Sequence, residues 1–275
     1  MITEQISTGW LTSLDVNAAF DRPWVDEAVA WIMATASGPV LDVGCGAGGA
    51  AAAFAHHADV VALDRDPRLL AVARRRAEAE KVDGRVRWAT GEVGRLPVGA
   101  GTFGVVWASG VVHHVADQQA AVAELAALVR PGGTVALVEG GLPLRCLPHE
   151  IGLGRPGLEA RLDEARARWF EDLRTELGGP PLPYGWPAAL ERAGLVDRRT
   201  RSFVAEAVPP LDEVGRAIAL QHLTNGLEEL GERLAADDRA TLRRLVDPAD
   251  EAWIGHRDDL VVTAVRTVHV ATRPG

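Results

Sequence analysis

The sequence predicts an α/β protein with a doubly wound, mostly parallel sheet, and three observations carry that prediction. From residue 25 to 139, helical and strand-like segments alternate, the order that lays helices on both faces of a parallel sheet. The apolar runs Val40–Val43, Val60–Leu63, Val86–Ala89, Gly104–Ala108 and Thr134–Val138 each lead into small, acidic or histidine-bearing residues. The first of them opens onto Gly44-Cys45-Gly46-Ala47-Gly48-Gly49 and an alanine-rich helix, a turn that lets a ligand approach bare backbone over a strand end.

Taken in order, Val25–Thr35 reads as a helix ending near Gly38-Pro39, followed by strand Val40–Val43, the glycine loop and a helix through about His57. After strand Val60–Leu63, Asp66-Pro67 has the pattern of an N-cap and a first-turn proline for a helix over Arg68–Lys81. Strand Val86–Ala89 leads to Gly91-Glu92, and strand Gly104–Ala108 to Ser109-Gly110. Helix Gln118–Val129 stops at Pro131-Gly132-Gly133, and strand Thr134–Val138 ends on Glu139. Beyond Gly140 the pattern loosens. Helices are predicted near Leu158–Leu177, over Trp186–Ala193 with Gly194 as C-cap, and over Leu211–Leu234 and Asp237–Val246. Leu195–Phe203 supplies a sixth strand and Leu260–Ala271 a final edge strand, so Leu211–His256 reads as an insertion, part of a lid or a homodimer contact.

Composition narrows the function classes. The chain has 275 residues, 47% of them apolar, and a formal charge of −9, a balance that repels phosphate backbones and argues against nucleic acid as a partner. Leu96–Ala116 carries no Asp, Glu, Lys or Arg, but its glycines and the His113-His114 pair argue against a membrane span. Cys45 and Cys146 have neither C-x-x-C nor His spacing, so no disulfide framework and no metal site is expected. A reducing cytoplasm is the expected compartment, and the N-terminus has no basic segment followed by an apolar run.

Gly44-x-Gly46-x-x-Gly49 matches the dinucleotide fingerprint by itself. Four further matches point elsewhere: Leu41-Asp42-Val43-Gly44 with an acid two residues before the first glycine; Val61-Ala62-Leu63-Asp64; Gly91-Glu92-Val93-Gly94-Arg95-Leu96-Pro97 followed by Phe103-Gly104-Val105-Val106; and Ser109-Gly110-Val111-Val112-His113-His114-Val115 with Leu128-Val129-Arg130-Pro131-Gly132-Gly133. Over residues 38–140 the chain resembles class I S-adenosylmethionine-dependent methyltransferases, in the small-molecule branch similar to quinone-biosynthesis and sugar or phenol O-methyltransferases. Two departures stand out. Glu92 replaces the commoner aspartate and keeps a carboxylate with one methylene more reach, and Gly104 removes an aspartate to which no role is assigned.

The resemblance implies a seven-stranded Rossmann-like sheet with an antiparallel last strand and a helical lid. The expected division is an N-terminal helical cap over 1–37, a cofactor core over 38–140, and over 141–275 the rest of the sheet with lid insertions at about 141–185 and 208–258, all one continuous catalytic domain. It also implies S-adenosylmethionine as cofactor and S-adenosylhomocysteine as product. By position, Gly44, Gly46 and Gly48 line the methionine part with Asp42 near its amino group. Asp64 accepts from the ribose hydroxyls, Arg65 flanks the adenine, Glu92 and the Val93 backbone read the adenine edge, and Ser109 borders the sulfonium. The competing reading of Asp64 is a helix-capping acid.

His113 lies just past the fourth strand and Glu139 ends the fifth, so neighbouring strand tips bring an imidazole and a carboxylate together. In O-methyltransferases resembling this chain an acid and a histidine at these places act as orienter and base, which assigns His113 as general base and Glu139 as the group fixing its tautomer. The alternative is that the two histidines only shape the loop. His149 and His222 read as satisfied lone histidines, Arg198-Arg199-x-Arg201 as a solvated face, and Trp10, Phe20, Trp24, Trp169, Tyr184 and Trp186 as either a substrate chamber or ordinary core. The expected function is methyl transfer to O, N or C of a small, partly apolar metabolite in secondary metabolism. A non-methylating cyclase or lyase using the same cofactor is the alternative, and a nicotinamide dehydrogenase, suggested by the fingerprint with an acid at Asp64, is opposed by Asp42 and Pro131-Gly132-Gly133.

Overall fold

The computed structural model describes residues 8–275, with side chains from residue 13 onward. Its elements run α1 (Thr8–Met33), β1 (Val40–Val43), α2 (Gly49–Ala55), β2 (Val60–Asp64), α3 (Pro67–Ala79), β3 (Val86–Thr90), β4 (Phe103–Ser109), α4 (Gln118–Leu128), β5 (Val129–Arg145), α5 (Leu158–Leu177), α6 (Trp186–Arg192), β6 (Val196–Ala207), α7 (Glu213–Leu230), α8 (Ala236–Val246) and β7 (Val262–Thr272). The strands form one sheet in the order β3-β2-β1-β4-β5-β7-β6. β1 pairs in parallel with β2 and β4, and parallel pairing continues outward to β3 and β5. The last strand is antiparallel: near the start of β5, Gly132 N–H donates to Arg273 O and Arg273 N–H to Gly133 O, at 2.9 and 2.8 Å.

Contacts divide the chain into two compact units. One comprises Asp21–Gly141, Leu177–Phe203 and Arg266–Gly275. Its core joins Leu41, Leu63, Val106, Leu125, Leu137 and Leu190, all fully buried. The burial of every β1 residue explains why that strand reads as an unbroken apolar run around one acid, since a strand covered on both faces has no polar side to alternate. The other unit comprises the described residues up to Phe20 together with Leu142–Glu176 and Val204–Val265, and buries Leu162, Ala165, Leu223 and Leu242 completely. Within it the buried Asp238 accepts from Arg161 Nε and Nη2 at 2.8 and 2.9 Å and from Arg155 Nη2 at 2.8 Å, the pairing a buried carboxylate requires.

Four expectations need correction. α1 starts at least as early as Thr8 and passes through Pro23, where the sequence suggested a start at Val25. Burial of Trp24, Val25, Ala28, Val29 and Ile32 sets a helical period that outweighs the one hydrogen bond proline cannot donate. α2 has seven residues and ends short of His57. β5 takes in Pro131-Gly132-Gly133 and extends to Arg145; the proline-glycine segment shifts its register against β4 between Phe103 and Val105, as a bulge does. β7 is no edge strand. It lies between β5 and β6, with Val268, Val270 and Ala271 buried, and β6 takes the edge. There Arg198 and Arg201 pair with Glu191 and Glu27, and Arg199 Nη2 donates to Thr35 Oγ1 at 2.9 Å, so the arginine cluster is a solvated, paired face. Asp66 caps α3 through the Arg68 N–H with Pro67 in the first turn, as the sequence implied. Tyr184 and Trp186 pack on the core, and Trp24 lies inside it, stacked at 6.4 Å on Trp107. The side chain of Trp10 lies outside the described residues.

Gly104 has a clear steric reason. A Cβ there would sit 1.9 Å from the Ser37 carbonyl oxygen and 3.1 Å from Gly38 Cα, because β4 begins flush against the backbone that feeds β1. Gly104→Ala should therefore cost roughly 1–3 kcal/mol and lower the Tm, whereas Gly84→Ala, with open space around the new methyl, should stay within about 0.5 kcal/mol of wild type. Equal thermal melts for the two variants would refute the clash.

Candidate functional site

The carboxyl-terminal ends of β1, β2 and β4 surround a cavity of about 230 Å³ lined by Val43, Gly44, Asp64, Arg65, Leu69, Gly91, Glu92, Val93, Ser109, Gly110, Val111, His114 and Val115. Parallel strands deliver their loops to one edge of the sheet, and ligands bind there. The glycine loop is fastened to β2: Cys45 N–H donates to Leu63 O at 2.8 Å and Gly46 N–H to Asp64 Oδ2 at 2.9 Å. The other carboxylate oxygen of Asp64 accepts from Asp66 N–H at 2.9 Å. Asp64 is thus not the cap of α3, which is Asp66; it ties two turns while still lining the cavity. At Gly44, φ is +68° and a Cβ would meet Val111 Cγ2 at 2.4 Å; the absent side chain lets the β4 loop close over the turn.

Asp42 is 1% exposed and its Oδ2 has no hydrogen-bond partner. Burial, then the charge of Asp64, pushes its carboxyl up to about 7, against the Ala51 N–H that favours the charged form. An orphaned acid under a glycine turn is suited to a cationic group. At the opposite side, Glu92 and Arg65 lie 3.7 Å apart and largely exposed, a pair of little energetic weight by itself. Glu124 holds the segment after Glu92 by accepting from Gly94 N–H at 2.6 Å. With apolar Leu69, Val93 and Val111 lining the same cavity as Asp64 and Glu92, these residues fit a nucleoside carrying a cationic tail, the kind of group the resemblance implies.

The predicted catalytic pair is assembled. His113 Nδ1 and Glu139 Oε2 are 2.7 Å apart, and Glu139 Oε1 accepts from Val111 N–H at 3.1 Å and Val112 N–H at 2.8 Å. Glu139 is 4% exposed, and three contacts fix its carboxylate. The adjacent His114 ring lies 4.0 Å from that of His113. Burial first, then His113, lowers the pKa of His114, which keeps its ring neutral at physiological pH.

Of the expected site residues, Gly44, Asp64, Arg65, Glu92, Val93 and Ser109 line the cavity. Asp42 lies in β1 beneath the loop that frames it, Gly46 and Gly48 belong to that loop, and His113 with Glu139 stands on the neighbouring short helical turn and strand. Sequence reasoning missed Leu69, on α3, and His114 as cavity walls. The signal for His114 was its place in the quoted pair; one residue of turn geometry decides which ring faces inward.

Comparison with known proteins matches the methyltransferase domain family over residues 41–137. A ubiquinone/menaquinone biosynthesis C-methyltransferase from Dinoroseobacter shibae is 33% identical over 127 residues, 45% of this chain and 51% of that protein. The methyltransferase GfsG of Streptomyces halstedii is 29% identical over 224 residues, covering 77% of this chain and 76% of its own. The chain spans about half the length of its quinone-branch relative. Among solved structures, phosphoethanolamine N-methyltransferase 2 of Haemonchus contortus, in complex with S-adenosyl-L-methionine, superposes with a TM-score of 0.55 at 16% identity, covering 98% of this chain and 58% of that one. The YcgJ protein of Bacillus subtilis gives 0.54 at 18%, covering 90% and 99%. These likenesses carry the fold of the methyltransferase domain, and among the described residues no helix is long and apolar enough to cross a membrane.

The raised pKa of Asp42 has a sign that can be measured. The folded chain keeps a proton on Asp42 that the unfolded chain loses near pH 4, so this group's contribution is fully favourable below about pH 4 and declines as the pH climbs to about 7. Wild-type Tm should fall by a few degrees more between pH 5 and 7.5 than that of Asp42→Asn. Parallel pH profiles for the two would exclude the orphaned carboxyl as the titrating group.

Proposed function

We propose that this chain transfers a methyl group from S-adenosylmethionine to O, N or C of a small, partly apolar metabolite, in secondary metabolism. The observation that carries the reading is the fixed His113–Glu139 pair, 2.7 Å apart, on the same sheet edge as a cavity walled by Asp64 and Glu92. Relatives support it: the two curated proteins named above are methyltransferases, and GfsG aligns over most of the chain.

When bound, S-adenosylmethionine supplies a sulfonium-activated methyl. Asp64 retains free acceptor capacity beyond its two backbone donors, as a carboxylate offers about four lone-pair sites, and would hold the ribose hydroxyls. Asp42 would balance the cationic amino group. Gly44, Gly46 and Gly48 would line the methionine part, Arg65 would flank the adenine, Glu92 and the Val93 backbone would meet its edge, and Ser109 would border the sulfonium. For an acceptor hydroxyl or amine, His113 would accept at Nε2 the proton that the acceptor gives up when it is methylated. Glu139 holds Nδ1–H and stabilises the imidazolium. Alignment contributes about 7–11 kcal/mol and the base roughly 10²–10⁴-fold, so positioning is the larger share. We assign the choice of acceptor to the segments at about 141–185 and 208–258.

Two measurements test this. S-adenosylmethionine and S-adenosylhomocysteine should raise the Tm in a concentration-dependent way and NAD should not; a shift with NAD alone overturns the cofactor assignment. With a methyl acceptor found by labelled-methyl transfer, His113→Gln should lower kcat by about 10²–10⁴-fold while leaving the cofactor-induced Tm shift intact. An unchanged kcat would remove His113 from the chemistry.

A further inference from the structure

The unit that contains α5 and α7 holds a second cluster of chemically active side chains, apart from the residues assigned above. Cys146 directly follows β5, Glu159 lies in the first turn of α5 and His222 lies within α7. Their Sγ, carboxylate oxygen and imidazole nitrogen all fall within 4.8 Å of one another, and the three residues are 2, 7 and 9% exposed.

Ordinary packing leaves one of these groups unexplained. Glu159 Oε1 accepts from Cys146 N–H at 2.7 Å, so the carboxylate has a partner. His222 Nε2 has none: it is buried without a hydrogen bond, and its nearest acid oxygen, on Glu159, is 3.6 Å away. That is too long for a hydrogen bond, and an unsatisfied buried nitrogen costs about 1–3 kcal/mol. A separation of 3.6 Å is, however, close to the edge of a tetrahedron of ligands around one metal ion, since bonds of about 2.0–2.3 Å place neighbouring ligand atoms roughly 3.5 Å apart.

We propose that Cys146, Glu159 and His222 form a binding site for one zinc ion. The donor set selects the metal class. Thiolate and imidazole together argue against magnesium or calcium, which prefer all-oxygen shells, and a carboxylate beside them suits a borderline divalent ion better than copper(I). Binding would form Zn–S, Zn–N and Zn–O bonds, with the thiol proton released to solvent, and leave a fourth position for water. The site would cross-link the end of β5 and the start of α5 to α7, a segment of the same unit that lies far from both in sequence.

The test uses the full chain freed of metal by a chelator and then titrated with zinc(II) or cobalt(II). One equivalent should bind with a Kd below about 1 μM, zinc should raise the Tm reversibly with the chelator, and cobalt should give a thiolate charge-transfer band. Cys146→Ser, which keeps Cys45, should abolish that band, and His222→Ala should weaken zinc binding by at least about tenfold. Circular dichroism of both metal-free variants establishes that they are folded, and the wild-type Tm shift serves as a readout that needs no variant. Absence of stoichiometric binding to wild type, or binding and a cobalt band that persist in Cys146→Ser, overturns the proposal.

Discussion

The carboxylate of Asp64 accepts one backbone N–H from the glycine loop and one from the turn into α3, and the geometry of the cavity depends on that double attachment. β1 and β2 are parallel neighbours in register from Val40 opposite Val60 to Val43 opposite Leu63, so their ends lie side by side. A charged acceptor at the end of β2 then gives the donors of two otherwise unpaired turns a common partner. Without it the glycine loop would be held by the Cys45 N–H on Leu63 O, by Arg76 Nε on Ala47 O and by its own backbone. The same charge contributes to the raised pKa of Asp42, so the group that organises the loop also conditions the orphaned acid beneath it.

Glu139 performs the matching task at the other end of the site. One oxygen collects the N–H groups of Val111 and Val112 and the other faces His113, so the imidazole is oriented by a carboxylate that the backbone immobilises. Both anchors are acids on parallel strands, Asp64 as the last residue of β2 and Glu139 directly after the β5 residues that pair with β4, nearly excluded from water and held by peptide donors. This is what a polar group at a buried strand end must do to exist there.

The sequence was most readable where one residue type has one physical use. The glycine spacing after β1, the Asp66-Pro67 start of α3 and the acids at strand ends each point to a local geometry, and the loop, the cap and the edge of the sheet lie where those residues imply. Readability failed where tertiary contacts decide. The sequence places the first helix at Val25–Thr35, but the buried face on either side of Pro23 keeps α1 continuous; Pro131-Gly132-Gly133 suggests a stop, but β5 absorbs it as an irregularity and runs on. Which ring of His113-His114 faces the cavity depends on a single short turn. Cys146, Glu159 and His222 share no spacing pattern, because three separate elements deliver them.

The border strand β6 has one more consequence. Its outward arginines are engaged with Glu191, Glu27 and Thr35, so an incoming strand would have to strip water and counter-charges from that margin before its own amides could find partners. A paired, charged margin of this kind resists ribbon-like stacking of chains and the fibrous aggregates that follow from it. Self-association of this protein, where it occurs, is thereby directed away from β6.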